Sequence, residues 1–190
     1  MGRGDAARLA DEEDERGRKM KAYNKTVPMT RRYPDLPRKQ LERDSKIAYR
    51  IAYAHDMELD NGKVLDLFRK YHRLLSNPRY WEMLKVVWIA VGSTSVAGEF
   101  RQYMQSTRPC RNYFMTPEEH EVLRNMKFPL KVWRACSGDD DDGLSWTVNL
   151  EVAMEFAVRG KCRKIITREV VRKDVFAYIN RRGEDEIIIL

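Results

Sequence analysis

The spacing of the apolar residues changes near Thr116, and this change limits the folds that the chain can adopt. Before Thr116, apolar residues such as Ile47, Ile51 and Ala54 recur three or four positions apart, as on one face of a helix. After it, short runs rich in β-branched and aromatic residues follow one another at strand length. The sequence therefore predicts an α+β fold, with a helical N-terminal half leading into a half built from strands.

Three helices are predicted in the first half. The first occupies residues 37–62 and ends in the turn-forming cluster Asp60–Gly62. The second follows over residues 64–75. The third, over residues 81–104, is the most apolar stretch of the chain, so we expect a buried helix that bends at Gly92.

The second half begins with a helix whose N-terminus is predicted by four residues, Thr116-Pro117-Glu118-Glu119. Thr116 supplies a hydroxyl at the N-cap, Pro117 takes the first helical position and Glu119 the third, which together make a capping box. We expect this helix to run to about Met126. A further short helix is predicted at residues 150–160, and strands are predicted at residues 130–136, 164–171, 174–179 and 186–190.

The chain of 190 residues is long enough for one domain of ordinary size with a real core. Residues 1–37 combine dense charge with glycine and three prolines, which predicts a mobile or loosely docked arm. Residues 38–112 are the predicted helical region, and residues 113–190 are the predicted strand-rich core. We expect these two regions to form one compact domain.

Basic residues outnumber acidic ones, with 36 Lys and Arg against 29 Asp and Glu, and the formal net charge is +7. The field of such a chain favours an anionic partner. No apolar run approaches the ~20 residues that span a bilayer, and the charged N-terminus lacks the apolar stretch of a signal peptide. The sequence predicts an unsecreted, cytoplasmic protein without a membrane partner.

Neither a disulfide framework nor a metal site is indicated. Cys110, Cys136 and Cys162 are odd in number and form no C-x-x-C pair, as suits a reducing compartment. The three histidines are scattered along the chain, whereas metal sites need clustered ligands. We therefore expect no bound metal.

Three features follow one another in the strand-rich half. Arg134 lies in a predicted strand with Val132 on the same face, Ser145-Trp146-Thr147 begins the next segment, and Glu184-Asp185-Glu186 leads into the last strand. With the local sequences WRA, GLSWT and AYINRRGEDEIII, this order resembles the R-S-E group of mono-ADP-ribosyltransferases, the cholera-toxin-like branch. The resemblance covers about residues 113–190, and it departs from the common Ser-Thr-Ser spelling of the serine triplet.

The resemblance implies an ADP-ribosyltransferase-like split β-sandwich with a short helix. It also implies an enzyme that cleaves NAD+, its substrate, at the nicotinamide–ribose bond and transfers ADP-ribose to a macromolecule. Ser145 would then hydrogen-bond the catalytic glutamate or the nicotinamide ribose, and Thr147 would brace its strand. The residues expected to contact NAD+ are Arg134, Ser145, Trp146, Thr147, Phe156 and Glu186. The expected catalytic residues are Arg134, Ser145, Glu184 and Glu186.

The chemistry of the reaction explains why these residue types are suitable. A guanidinium such as that of Arg134 can meet the oxygens of a pyrophosphate with two parallel donors. Departure of nicotinamide leaves positive charge on the ribose, which the carboxylate of Glu186 can stabilise. A second carboxylate is useful when the acceptor is a guanidinium that must be oriented and lose a proton. Positions two apart in a strand share a face, so Glu184 is predicted to join Glu186 while Asp185 points away.

The aromatic residues near the serine have two interpretations. Trp146 and Phe156 are suitable for lining a nicotinamide pocket. Each is equally suited to an ordinary place in the hydrophobic core, which is the commoner role of such side chains. The sequence does not decide between these roles.

Two further stretches stand beside the predicted site. The four aspartates at residues 139–142 would repel a pyrophosphate, so we expect their loop to turn away from it. The loop then either attracts a basic target or is simply solvated, and consecutive aspartates are a poor metal chelator. The sequence Ser93-Thr94-Ser95 spells the family's usual triplet, but it precedes Arg134 and is rejected as the active-site serine segment.

Several functions remain open at this stage. The first is transfer of ADP-ribose to an arginine side chain of a target protein. The second keeps the chemistry but modifies a base of RNA or DNA, held electrostatically by the basic arm and the Lys- and Arg-rich helical half. The others are plain NAD+ hydrolysis and non-enzymatic binding of nucleic acid. If the protein is a toxin or an infection effector, the helical half could also bind an inhibitory or antitoxin partner.

Overall fold

The computed structural model describes residues 35–56, 61–92, 96–138, 143–162, 164–180 and 183–190. The chain divides into two compact units, Met1–Ala90 and Val91–Leu190. Residues 111–114 pack against the strands that follow them, since Arg111 donates to the Phe176 carbonyl (3.2 Å) and Phe114 packs against the Phe176 ring. The predicted division at residues 112 and 113 within one compact domain stays a prediction. Apart from its last three residues, the predicted arm lies outside the described part.

The first unit contains the three expected helices, which are α1 (Arg38–Asp56), α2 (Asn61–Tyr71) and α3 (Asn77–Val91). Several boundaries differ from the prediction: α2 ends at Tyr71 instead of residue 75, and α3 begins at Asn77 instead of residue 81. Asn61 and Gly62 begin α2 instead of ending α1, since both residue types are suited to either end of a helix. Gly92 ends α3 instead of bending it, because its φ of +46° is a left-handed conformation that breaks the helical bond pattern.

A buried carboxylate ties α1 to the start of α3. Asp44 is 0% exposed, and it accepts hydrogen bonds from the Ser76 backbone N–H (3.0 Å), from the Ser76 hydroxyl and from Gln40 Nε2 (2.7 Å). A carboxylate is costly to bury unless donors surround it in this way. The remaining core of the unit is apolar and includes Ile47 and Phe68.

In its described residues, the second unit contains the strands and three further α-helices. Its helices are α4 (Ala97–Met104), α5 (Pro117–Asn125) and α6 (Leu150–Arg159), and its strands are β1 (Leu130–Cys136), β2 (Ser145–Thr147), β3 (Lys164–Val170), β4 (Val175–Ile179) and β5 (Glu186–Ile189). The predicted α+β class is confirmed. Across the described ranges, no helix combines the length and apolar character needed to cross a bilayer.

The capping box predicted at Thr116 is present. Glu119 N–H donates to the Thr116 hydroxyl (3.2 Å), and the Glu119 carboxylate accepts from the Thr116 N–H (2.7 Å). Helix α5 begins at Pro117 and ends at Asn125, one residue short of the expected end. The local sequence therefore marks the start of this helix, and Leu123 packs it into the hydrophobic core.

The strands form one five-stranded sheet in the order β3-β1-β2-β5-β4, with every neighbouring pair antiparallel. The α5 side of the sheet carries a core cluster of Leu123, Val132, Trp146, Val170, Val175, Tyr178, Ile187 and Ile189. Helix α6 contacts β1, β2 and β3 and buries Ala153. The three-residue strand β2 lies between β1 and β5, so the order of the sheet brings the strands of Arg134, Ser145 and Glu186 side by side.

Candidate active site

The centre of the candidate site is a bond between neighbouring strands. The Ser145 hydroxyl donates to Oε1 of Glu186, which begins β5. Thr147 pairs with Glu186, and Ser145 with Ile188, so Ser145, Thr147 and Glu186 lie on the same face of the sheet. The structure therefore joins the predicted serine to the predicted catalytic glutamate across 41 residues of chain.

Arg134 reaches the same serine from the other neighbouring strand. Its Nη1 donates to the Ser145 backbone carbonyl over 2.6 Å. The register pairs Trp133 with Thr147, which places Trp133 on the face of the Ser145 hydroxyl and Arg134 on the opposite face. The predicted shared face of Arg134 and Val132 is confirmed by their pairing with β3. The Arg134 guanidinium therefore contacts the backbone of Ser145 at the beginning of β2, and it does not lie on the sheet face that carries the Ser145 hydroxyl.

Gly143 makes room for this arrangement, a role that the sequence alone does not predict. A Cβ atom at position 143 would overlap the guanidinium of Arg134. A glycine is therefore required at this position because the Arg134 side chain approaches its backbone closely. In the sequence, the only sign of this role is the position of the glycine in GLSWT, two residues before Ser145. The carbonyl of Gly143 also accepts from the indole N–H of Trp146 (3.1 Å).

Thr147 connects β2 to the chain that enters β5. Its hydroxyl donates to the backbone carbonyl of Glu184 (2.8 Å) and accepts from the N–H of Asn149 (3.1 Å). Asn149 is in turn the N-cap of α6, since its side chain accepts from Glu151 N–H (2.9 Å). Thr147 accordingly braces both the approach to Glu186 and the turn into the helix.

Glu184 does not share a strand face with Glu186, contrary to the prediction. Strand β5 begins at Glu186, and Asp185 has a left-handed φ of +45°, so the two-residue alternation of a strand does not extend back to Glu184. Aspartate tolerates this conformation better than most residues. The carboxylate of Asp185 accepts a hydrogen bond from the Tyr178 hydroxyl (2.6 Å). Glu184 is fixed through its backbone, by Thr147.

Tyr178 is the ionisable group most affected by its surroundings here. It is 2% exposed in the core cluster, and burial, followed by its hydrogen bond to the Asp185 carboxylate, raises the pKa of the phenol above its usual value. Tyr178 is therefore a neutral donor to Asp185 at neutral pH.

The two aromatic candidates occupy different environments. Trp146 is 4% exposed in the core cluster, pairs with Ile187, and has the Arg168 guanidinium 4.3 Å from its ring centre. It lies on the opposite face from the Ser145 hydroxyl and Glu186, so the structure gives it the core role and does not place it in a pocket with them. Phe156 is 40% exposed on α6, with Arg159 4.7 Å from its ring centre. Its contact with nicotinamide stays a prediction.

The aspartates at residues 139–142 and the sequence Ser93-Thr94-Ser95 lie outside the described residues. Cys110, Cys136 and Cys162 are free thiols. Within the described ranges, no group of three His, Cys, Asp or Glu side chains is placed to hold a metal ion.

Comparison of the chain with protein-family models, curated sequences and solved structures gives no significant match. The function is therefore inferred from the chemistry of the site residues. A carboxylate held by a serine hydroxyl can stabilise a developing cation, and a guanidinium bonded to the backbone of the same serine can bind an anion. The strand order brings the carboxylate to the hydroxyl of Ser145 and the guanidinium to its backbone carbonyl.

Gly143→Ala is expected to move the Arg134 guanidinium off the Ser145 carbonyl. Loss of a hydrogen bond from a charged donor should lower the free energy of unfolding by about 2 kcal/mol. Urea denaturation measures this change, and the chemical shift of Arg134 Nε reports the displacement. Gly98→Ala is the control, since a Cβ there meets no neighbouring atom. An unchanged Arg134 resonance in Gly143→Ala would contradict the assignment of this glycine.

Tyr178→Phe is expected to lower stability in a pH-dependent way. At pH 7 the variant should be less stable by about 1 kcal/mol, because the bond to Asp185 is lost. Because the pKa of Tyr178 is raised in the folded state, its contribution to the free energy of unfolding is complete below the ordinary tyrosine pKa of about 10. This contribution decreases as the pH rises above that value. The difference between the native protein and the variant should therefore shrink above about pH 10. Urea denaturation from neutral to alkaline pH measures it, and a constant difference would be the contrary result.

Proposed function

We propose that this protein is a mono-ADP-ribosyltransferase, which cleaves NAD+ between nicotinamide and ribose and transfers ADP-ribose to a macromolecule. One observation carries the proposal. Residues of three sheet strands, predicted as a set from their order in the chain, meet at Ser145: its hydroxyl bonds to Glu186, and its carbonyl accepts from Arg134. The described strands form a single five-stranded antiparallel sheet, whereas a sandwich needs two sheets, so the expected split β-sandwich stays a prediction.

Glu186 is assigned to the bond-breaking step. The glycosidic bond between ribose C1′ and the nicotinamide nitrogen breaks, and its electron pair leaves with nicotinamide, which is thereby neutralised. No general acid is required, because the leaving group begins as a cation. The positive charge remains on the ribose, where the Glu186 carboxylate would stabilise it. The Ser145 hydroxyl fixes the direction of that carboxylate.

Arg134 is assigned to the pyrophosphate of NAD+. A guanidinium carries five N–H donors in a rigid fork, and two parallel donors of this fork match the oxygens of a phosphate. That bond and the space left by Gly143 hold the group in one orientation, so part of the entropic cost of binding is met during folding. The pyrophosphate and the ribose would then be held by residues that contact the same serine.

The acceptor completes the reaction by forming a bond to C1′ and giving up a proton. The first candidate is the guanidinium of a protein arginine, with Glu184 as the carboxylate that orients it and takes the proton. The Thr147 hydroxyl holds the Glu184 backbone two residues before Glu186, which supports a role beside the catalytic residue although Glu184 lies outside β5. A nucleic-acid base is the second candidate, favoured by the net charge of +7. Water as the acceptor would give simple NAD+ hydrolysis.

Glu186→Gln is expected to lower the rate of nicotinamide release from NAD+ by about 100-fold or more, because the amide cannot stabilise the ribosyl cation. Ser145→Ala should lower it by about tenfold, since the carboxylate loses its orienting donor. Chromatography of released nicotinamide measures both rates. Glu169→Gln, at an exposed position of β3, is the control for an equal change of charge. Full activity of Glu186→Gln would refute the proposed function.

The acceptor can be identified by incubating a cell lysate with biotinylated NAD+ and the protein. We expect label that appears with the native enzyme and is missing with Glu186→Gln. Label that is destroyed by protease indicates a protein acceptor, whereas label destroyed by nuclease indicates a nucleic acid. Nicotinamide release without any labelled macromolecule would contradict transfer and leave hydrolysis.

A further inference from the structure

A basic groove runs along α1 in the first unit. It encloses a volume of 390 Å³, and its cationic lining consists of Lys39, Arg43, Lys46 and Arg50. Tyr71 at the end of α2 and Leu74 in the following turn complete the groove. None of these residues belongs to the candidate active site.

The four cations, Lys39, Arg43, Lys46 and Arg50, form one row. Their spacing of four, three and four residues puts them on one face of the helix, over about 16 Å of its axis. All four are exposed, and within the described ranges none forms an ion pair. The groove's carboxylate, Glu42, is already paired with Arg38 (3.0 Å). The row therefore keeps its positive charge.

Such a row is unfavourable for the helix itself. Like charges three or four residues apart on a helix repel each other and destabilise it. Those pairs are Lys39 with Arg43, Arg43 with Lys46, and Lys46 with Arg50. An anionic ligand along the groove would convert this repulsion into attraction.

The floor of the groove is apolar and aromatic. Ile47 is buried, Tyr71 is half-buried, and Leu74 is 47% exposed. Arg50 Nη1 donates to the Tyr71 hydroxyl (3.1 Å), and the guanidinium lies 5.6 Å from the centre of the ring. Lys70 Nζ also lies over the ring, 5.3 Å from its centre, so a flat ligand group would stack on Tyr71 by displacing one of these two cations.

We infer that this groove binds single-stranded nucleic acid. The cations would contact successive phosphates, and an unpaired base would cover Tyr71 and Leu74. At about 3.4 Å per nucleotide of a stacked strand, the row matches on the order of five nucleotides. Binding needs no NAD+, so the inference does not depend on the proposed transferase activity.

Two other anionic partners fit the groove less well. An amphipathic helix that lies on a membrane inserts its apolar face into the lipid. The apolar face of α1, with Ile47, Ala48 and Ile51, is already buried in the unit. A duplex keeps its bases stacked, so it would satisfy the cations and leave the apolar floor uncovered.

Fluorescence anisotropy of the full chain with a labelled single-stranded RNA of about 12 nucleotides tests the inference. The double variant Arg43→Gln, Lys46→Gln should bind about tenfold or more weakly. Its plot of log affinity against log salt should be shallower by about 1.4, because two phosphate contacts are lost at about 0.7 each. The matched control is Lys127→Gln, Lys173→Gln, which removes the same charge from exposed positions of the second unit. It should bind as the native chain does.

Tyr71→Leu separates stacking from charge. It keeps an apolar side chain and removes the ring, so binding should weaken by about tenfold with an unchanged salt dependence. Circular dichroism checks that each variant is folded. If Tyr71→Leu is unfolded, the pair of double variants still decides the question, because all four of their positions are exposed.

The inference is overturned if the two double variants lose the same affinity, since net charge alone would then explain binding. It is also overturned if a duplex of equal length, a phosphatidylserine vesicle or polyglutamate binds as tightly as the single strand. Glu186→Gln should bind RNA normally while losing nicotinamide release. Failure of the groove and failure of the proposed function therefore give different results.

Discussion

The hydrogen bond between Ser145 and Glu186 depends on the position of β2, and so does the rest of the candidate site. A strand of three residues has few ladder bonds of its own, yet β2 lies between β1 and β5. Contacts beyond its ends support it: Ile189 N–H donates to the Leu144 carbonyl (2.9 Å), and Val148 N–H to the Asp185 carbonyl (3.3 Å). Because the strand is central and fixed at both ends, its serine is held against a carboxylate that is distant in sequence.

The two faces of β2 have separate tasks. Trp146 points into the apolar cluster and anchors the strand by burial, while Ser145 and Thr147 carry the polar contacts on the other face. The alternation of a strand makes this division automatic once the register is set. A slip of one residue would exchange the faces, so the packing of Trp146 also determines where the Ser145 hydroxyl points.

The two units use charge in different ways. In the first unit Asp44 is buried and accepts hydrogen bonds from three donors, so its charge supports packing. The cations from Lys39 to Arg50 are exposed, and their mutual repulsion slightly destabilises α1. In the second unit Arg134 is held in place by a carbonyl acceptor and by the absence of a side chain at Gly143. The exposed cations from Lys39 to Arg50 form no ion pair with the residues that the structure describes, and their charge is therefore available to an anionic ligand.

The sequence by itself determined the features that depend on near neighbours. The helical spacing around Ile47, the capping box at Thr116 and the β-rich run of β1 are short-range patterns, and the structure confirms each of them. The grouping of Arg134, Ser145 and Glu186 was predicted from a resemblance, and not from spacing. Only the tertiary structure decided the face of Trp146, the need for Gly143 and the end of strand alternation at Asp185. These depend on strand order, register and the close approach of side chains from separate segments, and such long-range contacts leave no periodic signal in a single sequence.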